Sequence, residues 1–262
     1  MRVRTLGSGS TGNSAVVQSD ELRVLIDAGL TAPELERRLE LVQVPPLGLD
    51  HVLVTHGHLD HARAAGQLAR RHHALLHAAP AILPHSSLRR AKRSAELSPS
   101  RDTVLDAPGR CTSPIAVRAR TVSHDADPTF ALGLTCGDRR LAVITDAGRA
   151  DSEVTAEFAN SSVLILEFNH DPELLEAGPY PGSLQRRVAG DRGHLSNAQA
   201  AEWLGELCGP RLHTLVLAHL SAKNNTEQLA RAAADERLAQ LGRTDVRVLV
   251  ASPTEPGPWI DV

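Results

Sequence analysis

The sequence predicts an α/β protein of four layers, an αββα sandwich in which two β-sheets pack face to face between outer helices. Three observations predict it. Short apolar runs of strand length alternate with amphipathic helical segments along the whole chain. An order of strands, polar groups at strand ends and crossover helices occurs in the first half and again in the second. No low-complexity linker separates the halves, so residues 1–262 are expected to form one domain.

Composition narrows the class. A chain of 262 residues can bury a large core, and 42% hydrophobic with 23% charged residues is the balance of a globular protein. Aromatics are scarce at 2%, which leaves the core to aliphatic side chains and counts against strand binding on stacked aromatic platforms. The formal charge of −3 excludes a broadly basic surface but not a local phosphate-binding patch. Cys111, Cys136 and Cys208 are widely spaced with no CxxC pair, so free thiols are expected, without a disulfide scaffold or thiolate zinc site. Met1-Arg-Val-Arg leads into a strand without an apolar signal core, and no run reaches bilayer length. A cytoplasmic protein with no membrane contact is expected.

In chain order, strands are predicted at Arg2–Leu6, Ser14–Gln18 and Leu22–Ile26, with the Gly7–Asn13 loop as a structural bend. That loop lacks the Gly-Lys-Ser/Thr of a P-loop and precedes a strand, which argues against a phosphate cradle. Asp27 follows the third strand and could support a ligand imidazole or cap a turn. Thr31 is expected to cap a helix over 32–41, with Glu34 in the capping-box position.

The apolar run Val52–Val54 is followed by Thr55-His56-Gly57-His58-Leu59-Asp60-His61 and a predicted helix over 62–71. His56 and His58 are two apart in an extended segment, so both imidazoles leave on one side and can share an ion. Asp60 and His61 come where the chain turns and can reach a second ion. Imidazole with carboxylate suits Zn2+, with Mn2+ or Fe as alternatives. A His-rich surface turn is the plain alternative.

A strand near Ala74–His77 and a helical stretch from Ala79 lead to Arg89, Arg90, Lys92 and Arg93. These form either a solvated face or a contact for substrate phosphates. His72, His73, His77 and His85 match no ligand spacing and read as packed or surface residues.

Strands are then predicted at 115–122, 130–135 and 141–145; the first leads to His124 and the last to Asp146. His124 can complete a three-histidine set, and Asp146 can place an oxygen between two ions. Val163–Leu166 is a buried strand ending in Glu167, and Arg186 and Arg187 lie on a short basic helix beyond the Pro/Gly-rich segment 178–182. Gly193-His194 precedes a helix over 198–208 capped by Ser196 or Asn197. A strand at 212–217 leads to His219; helix 225–241 and a strand near 246–250 close the chain.

With His56, His58, Asp60, His61, His124, Asp146 and His219 in that order, the chain resembles the metallo-β-lactamase superfamily of dinuclear metallohydrolases over essentially its whole length. The resemblance implies that His56, His58 and His124 hold one metal, Asp60, His61 and His219 the other, and that Asp146 bridges them. Glu167, Gly193-His194-Leu-Ser and His219-Leu-Ser also resemble the tRNA 3′-end-processing ribonucleases, in which such a Glu and His assist proton transfer. Only 21 residues separate His124 from Asp146, which leaves no room for the tRNA-gripping arm usually inserted there. His124-Asp-Ala-Asp-Pro128, Glu167-Phe-Asn-His-Asp171, Tyr180-Pro181 and His219-Leu-Ser-Ala-Lys-Asn-Asn225 resemble the YycJ/WalJ group of exonuclease-like phosphodiesterases more closely, with Phe168 where that group usually has Ser.

Two divalent ions, five neutral histidines and two aspartates leave a net charge of about +2, which favours a phosphodiester anion. The expected activity is therefore a metal-dependent phosphodiesterase or nuclease with a bridging hydroxide as nucleophile; nucleic acid as substrate, DNA above RNA and cut in an exonuclease-like way, is what the resemblance implies. No obligate protein partner is indicated. Asp60, His194 and Glu167 are the expected catalytic groups, with His194 as proton donor oriented by Glu167. Arg89, Arg90, Lys92, Arg93, Arg186 and Arg187 are candidates for holding phosphates. A cyclic phosphodiesterase, a thioester or lactam hydrolase and a non-catalytic metal-binding module are the alternatives.

Overall fold

The computed structural model describes residues 1–45 and 47–262. Its elements, in chain order, begin with strands β1 (Arg2–Gly7), β2 (Ser14–Ser19) and β3 (Leu22–Ile26), helix α1 (Ala32–Leu41) and strand β4 (His51–Leu53). Helices α2 (Leu59–Ala62) and α3 (Ala65–His72) precede β5 (Leu75–Ala78), β6 (Ser94–Glu96), β7 (Thr103–Leu105), β8 (Ile115–Val122), β9 (Thr129–Cys136) and β10 (Arg139–Ile144). Then come α4 (Ser152–Phe158), β11 (Val163–Glu167), α5 (Pro172–Ala177), α6 (Gly182–Val188), α7 (Asn197–Leu207), β12 (Thr214–Ala218), α8 (Glu227–Gln240), β13 (Arg247–Val250) and β14 (Ile260–Asp261). The strands form two seven-stranded sheets, in the orders β14-β1-β2-β3-β4-β5-β6 and β13-β12-β11-β10-β9-β8-β7. No helix among the described residues is long and apolar enough to cross a membrane.

The chain divides into two compact units. The first comprises residues 1–119, 134–139 and 252–262. Its sheet is antiparallel from β14 to β3 and parallel from β3 through β6. Parallel pairing of β3 with β4 brings their carboxyl ends to one edge, which is where Asp27 and the His56 segment emerge. Its core is aliphatic: Leu25, Val52, Leu76, Leu35, Leu39 and Leu68 are buried together.

The second unit comprises residues 120–133 and 140–251. Strands β10, β11, β12 and β13 pair in parallel, so Asp146, Glu167 and His219 all leave from the same edge. Leu164, Leu166, Leu215 and Leu217 pack with Trp203 and Leu204 of α7 and with Ala230 and Ala234 of α8. Phe168 lies wholly within this core.

Several local expectations are corrected. The helix over 62–71 is instead two pieces, because the Asp60 carbonyl accepts from Asn13 N–H and Ala64 N–H turns to the Ala28 carbonyl. The helical stretch from Ala79 is a series of turns. Pro80 and Pro84 each remove a backbone donor from it. Thr31 occupies the N-cap of α1 without a side-chain cap, and Glu34 bonds Arg37 and Arg38 in place of closing a box. The expected cap at Ser196 is present as a full capping box with Gln199. Helices α4 and α5, unpredicted, are short and capped by Asp151 and Asp171.

Candidate metal centre

In the first unit the Thr55–His61 segment begins two residues past β4. His56 and His61 are buried and His58 and Asp60 half-buried. The His56 ring lies 4.9 Å from that of His58, edge-on, and 4.2 Å from that of His61. Asp27 orders the cluster: its Oδ2 accepts from His61 Nδ1 at 2.7 Å and Thr55 Oγ1 at 2.8 Å, while Oδ1 accepts from Thr55 N–H at 2.8 Å. Those bonds compensate the burial of its charge. They also place the His61 proton on Nδ1, so Nε2 carries the lone pair that could ligate an ion. Of the two readings of Asp27, acceptor for an imidazole or cap of a turn, the structure contains the bond to the His61 imidazole.

The glycine loop is structural, as expected, and it also does something the sequence reading missed. Asn13 Nδ2 lies 3.0 Å from His61 Nε2, and Asn13 N–H donates to the Asp60 carbonyl at 2.7 Å. A side chain on Gly29 would collide with that carbonyl, 1.6 Å from an ideal Cβ, so only glycine lets the turn pack there. The clue was an Asn inside a glycine-rich bend, a residue suited to bonding backbone and side chain together.

In the second unit, Asp146, Glu167, His194 and His219 offer ligand atoms all within 4.8 Å of one another. Asp146 Oδ1 is 3.4 Å from His219 Nε2, 3.8 Å from His124 Nε2 and 3.9 Å from His194 Nδ1. The His124 Nδ1 donates to the Gly193 carbonyl at 3.0 Å, which turns Nε2 towards Asp146. Burial pushes the His124 imidazole below its ordinary range, with the charge of Asp146 opposing, so the neutral form that binds metal is favoured.

Glu167 is wholly buried; its Oε1 accepts from His194 Nδ1 at 2.7 Å and its Oε2 from Ala147 N–H at 3.0 Å. Burial works against a charged His194, but the charge and hydrogen bond of Glu167 outweigh it and raise its pKa above the ordinary value. The His194 and His219 rings stack at 5.1 Å. Asn169, not anticipated, places Nδ2 3.1 Å from His219 Nδ1 and donates to the His219 carbonyl at 2.9 Å. Asn225 in turn donates to the Phe168 and Asn169 carbonyls at 2.9 and 3.1 Å.

Three of these groups share a backbone device. Asp27, Asp146 and His219 have φ of 56°, 58° and 57°, in the left-handed region that side-chain-bearing residues seldom occupy. Each reverses the chain just after its strand, and a cost of about 1 kcal/mol or more apiece is the kind of strain that gathers at functional sites.

The anticipated cations fall in different places. Arg89, Arg90, Lys92 and Arg93 are exposed in the turns between α3 and β6. Arg186 and Arg187 are exposed on α6, where Arg187 Nε donates to Asp125 at 2.6 Å. Of the extra histidines, His72 and His77 are buried, His85 half-buried and His73 exposed.

Each unit therefore presents imidazole and carboxylate donors, with the second ring nitrogens of His61 and His124 fixed by buried acceptors; this chemistry suits a divalent metal. Comparison with known proteins agrees. Residues 7–219 match the metallo-beta-lactamase superfamily. The chain is 31% identical over 261 residues to exodeoxyribonuclease WalJ of Streptococcus pneumoniae, covering 98% of this chain and 96% of that protein. It is 31% identical over 239 residues to exodeoxyribonuclease YycJ of Bacillus anthracis, covering 90% and 89%. Among solved structures, the metallo-beta-lactamase fold protein YhfI from Bacillus subtilis superposes with a TM-score of 0.72 at 18% identity, over 98% of both chains. The two sheets with their helices are this fold, and the chain belongs to the metallo-β-lactamase superfamily.

Proposed function

We propose that the chain is a dinuclear metal-dependent phosphodiesterase that degrades DNA from an end, working in the cytoplasm. His56, His58, Asp60 and His61 of the first unit and His124, Asp146 and His219 of the second are its metal ligands. Two divalent ions so held, Zn2+ fitting the imidazole-rich set best and Mn2+ or Fe as alternatives, would supply Lewis acidity and an acidified water as nucleophile.

The protein's own groups do the rest. Asp60 and Asp146 supply the carboxylates of the set. His194, held by the Glu167 carboxylate 2.7 Å from its Nδ1, presents Nε2 as the proton donor to the departing alkoxide. The raised pKa of His194 keeps a larger share of it charged near neutrality. That pairing, with His194 stacked on His219, is the observation that carries the proposal: a carboxylate-held imidazole beside another imidazole supports reading His194 as a proton donor, which a purely structural metal site does not need. The choice of DNA is supported by the full-length likeness to proteins named as exodeoxyribonucleases.

The test is incubation of purified protein, with zinc or manganese, on end-labelled single- and double-stranded DNA and RNA and on a cyclic nucleotide, beside Asp60→Ala. Progressive shortening of DNA by the parent and none by the variant is expected. Comparable cleavage by Asp60→Ala would exclude the dinuclear mechanism, and turnover of the cyclic nucleotide alone would make this a small-molecule phosphodiesterase.

A further inference from the structure

We infer that a furrow of arginines on the first unit, running from the end of α2 along α3, binds the phosphodiester backbone of the polymer apart from the metal ligands. This rests on the phosphodiesterase reading and says where a polynucleotide, as opposed to a small phosphodiester, is held. Arg63, Gln67, Ser86, Ser87, Arg89 and Arg90 line a concavity of about 250 Å³. An adjoining one of about 380 Å³ shares Gln67 and Arg90 and adds Arg70 and Arg71.

The backbone builds this furrow. Gly66 N–H donates to the Ser87 carbonyl at 3.0 Å, and a Cβ on Gly66 would lie 2.5 Å from that same oxygen. The close approach draws the turn carrying Arg89 and Arg90 directly against the helix carrying Gln67 and Arg70. Neither Arg63 nor Arg70 stood out in the sequence, because neither lies in a cationic cluster of the density seen at 89–93.

The charge pattern distinguishes this surface from an ordinary solvated face. Helix α1 pairs Glu34 with Arg37 and Arg38, and α8 pairs Arg231 with Asp235. Between Asp60 and Glu96 there are seven Lys and Arg and no Asp or Glu, in a chain whose formal charge is −3. Arg71 reaches Glu36 at 3.1 Å; Arg63, Arg70, Arg89 and Arg90 have no carboxylate within ion-pair distance among the described residues. Guanidinium forks with hydroxyl and amide donors between them are the chemistry that recognises phosphate oxygens. Arg63 stands three residues beyond Asp60, and an eight-residue helix is about 12 Å long, the span of roughly three or four phosphates of one strand. A concave, hydroxyl-lined furrow fits a strand better than a flat lipid surface.

Fluorescence anisotropy tests this, using the full chain as purified and labelled DNA with phosphorothioate linkages, so that cleavage does not interfere. Arg63→Glu and Arg90→Glu are expected to weaken binding about tenfold each at 50 mM salt and to reduce the salt slope by about one, with Arg90→Lys close to parent. Arg247→Glu, an equal charge change on β13, separates local contact from net charge. Far-UV circular dichroism checks folding, and Arg→Gln versions replace any reversal that fails to fold. Parental affinity and slope in both reversals would overturn the inference, as would equal weakening by Arg247→Glu or loss of binding to phosphatidylserine vesicles with DNA affinity kept. Failure of the metal-loaded parent to cut ordinary DNA would count against the nuclease reading alone.

Discussion

Asp27 shows how much one carboxylate can organise. It bonds His61 and both the hydroxyl and the amide of Thr55, so Asp27→Ala frees an imidazole tautomer and strips two buried donors of their acceptor. Metal affinity, read by competition with a chromogenic chelator, is expected to fall about 10- to 100-fold in that variant. His194→Ala is expected to lower kcat about 10²- to 10⁴-fold on DNA while metal content by atomic emission stays at the parental level. Equal losses of metal and rate would make His194 a ligand. A different histidine bears on acid tolerance. His77 is buried with its Nε2 2.9 Å from His51 Nδ1, and burial first, then the charge of His51, lowers its pKa to about 4. Its neutral form is thus favoured by folding: the contribution is complete above about pH 6.5, and it is lost as pH falls towards 4. Between pH 7.5 and 5 this costs about 2 kcal/mol, so His77→Phe is expected to flatten the pH dependence of denaturant unfolding over that interval.

At the scale of elements, what was legible was what repeats locally. Most strands of both parallel stretches, the His/Asp run after β4 and a cap at Ser196 or Asn197 follow from apolar period and capping chemistry, which neighbouring residues settle among themselves. What was not legible was settled by distant partners. The break between α2 and α3 depends on the Asn13 amide and the Ala28 carbonyl, about 50 and 36 residues away in sequence, which no window of helical period contains. The edge strands β6 and β7, three residues each, are too short to show an apolar period. Asn169 and Asn225 gave no metal-type signal because their role is to brace the chain around His219. The Ser196 box offers a calibrated test: Ser196→Ala is expected to lower stability by about 1 kcal/mol in chemical denaturation, since it leaves the Gln199 amide without its side-chain acceptor.

At the scale of the whole molecule, metal bound by the folded chain and not by the unfolded one makes folding and loading one equilibrium. Removing metal with a chelator is expected to lower the melting temperature, and readdition at a hundredfold excess over Kd to restore about 2.7 kcal/mol. A melt insensitive to chelator and to added metal would contradict the proposed metal binding. The left-handed turns at Asp27, Asp146 and His219 carry a further implication, for anyone wishing to make this protein hardier. Asp20, Gln43 and His73 adopt the same backbone geometry away from the ligands, and glycine at each should relieve torsional cost of the order of 1 kcal/mol. A selection for heat resistance would reward that exchange at these three, whereas at Asp27 the buried donors of Thr55 and His61 would lose their acceptor, so there the twisted backbone is kept for the bonds it aims.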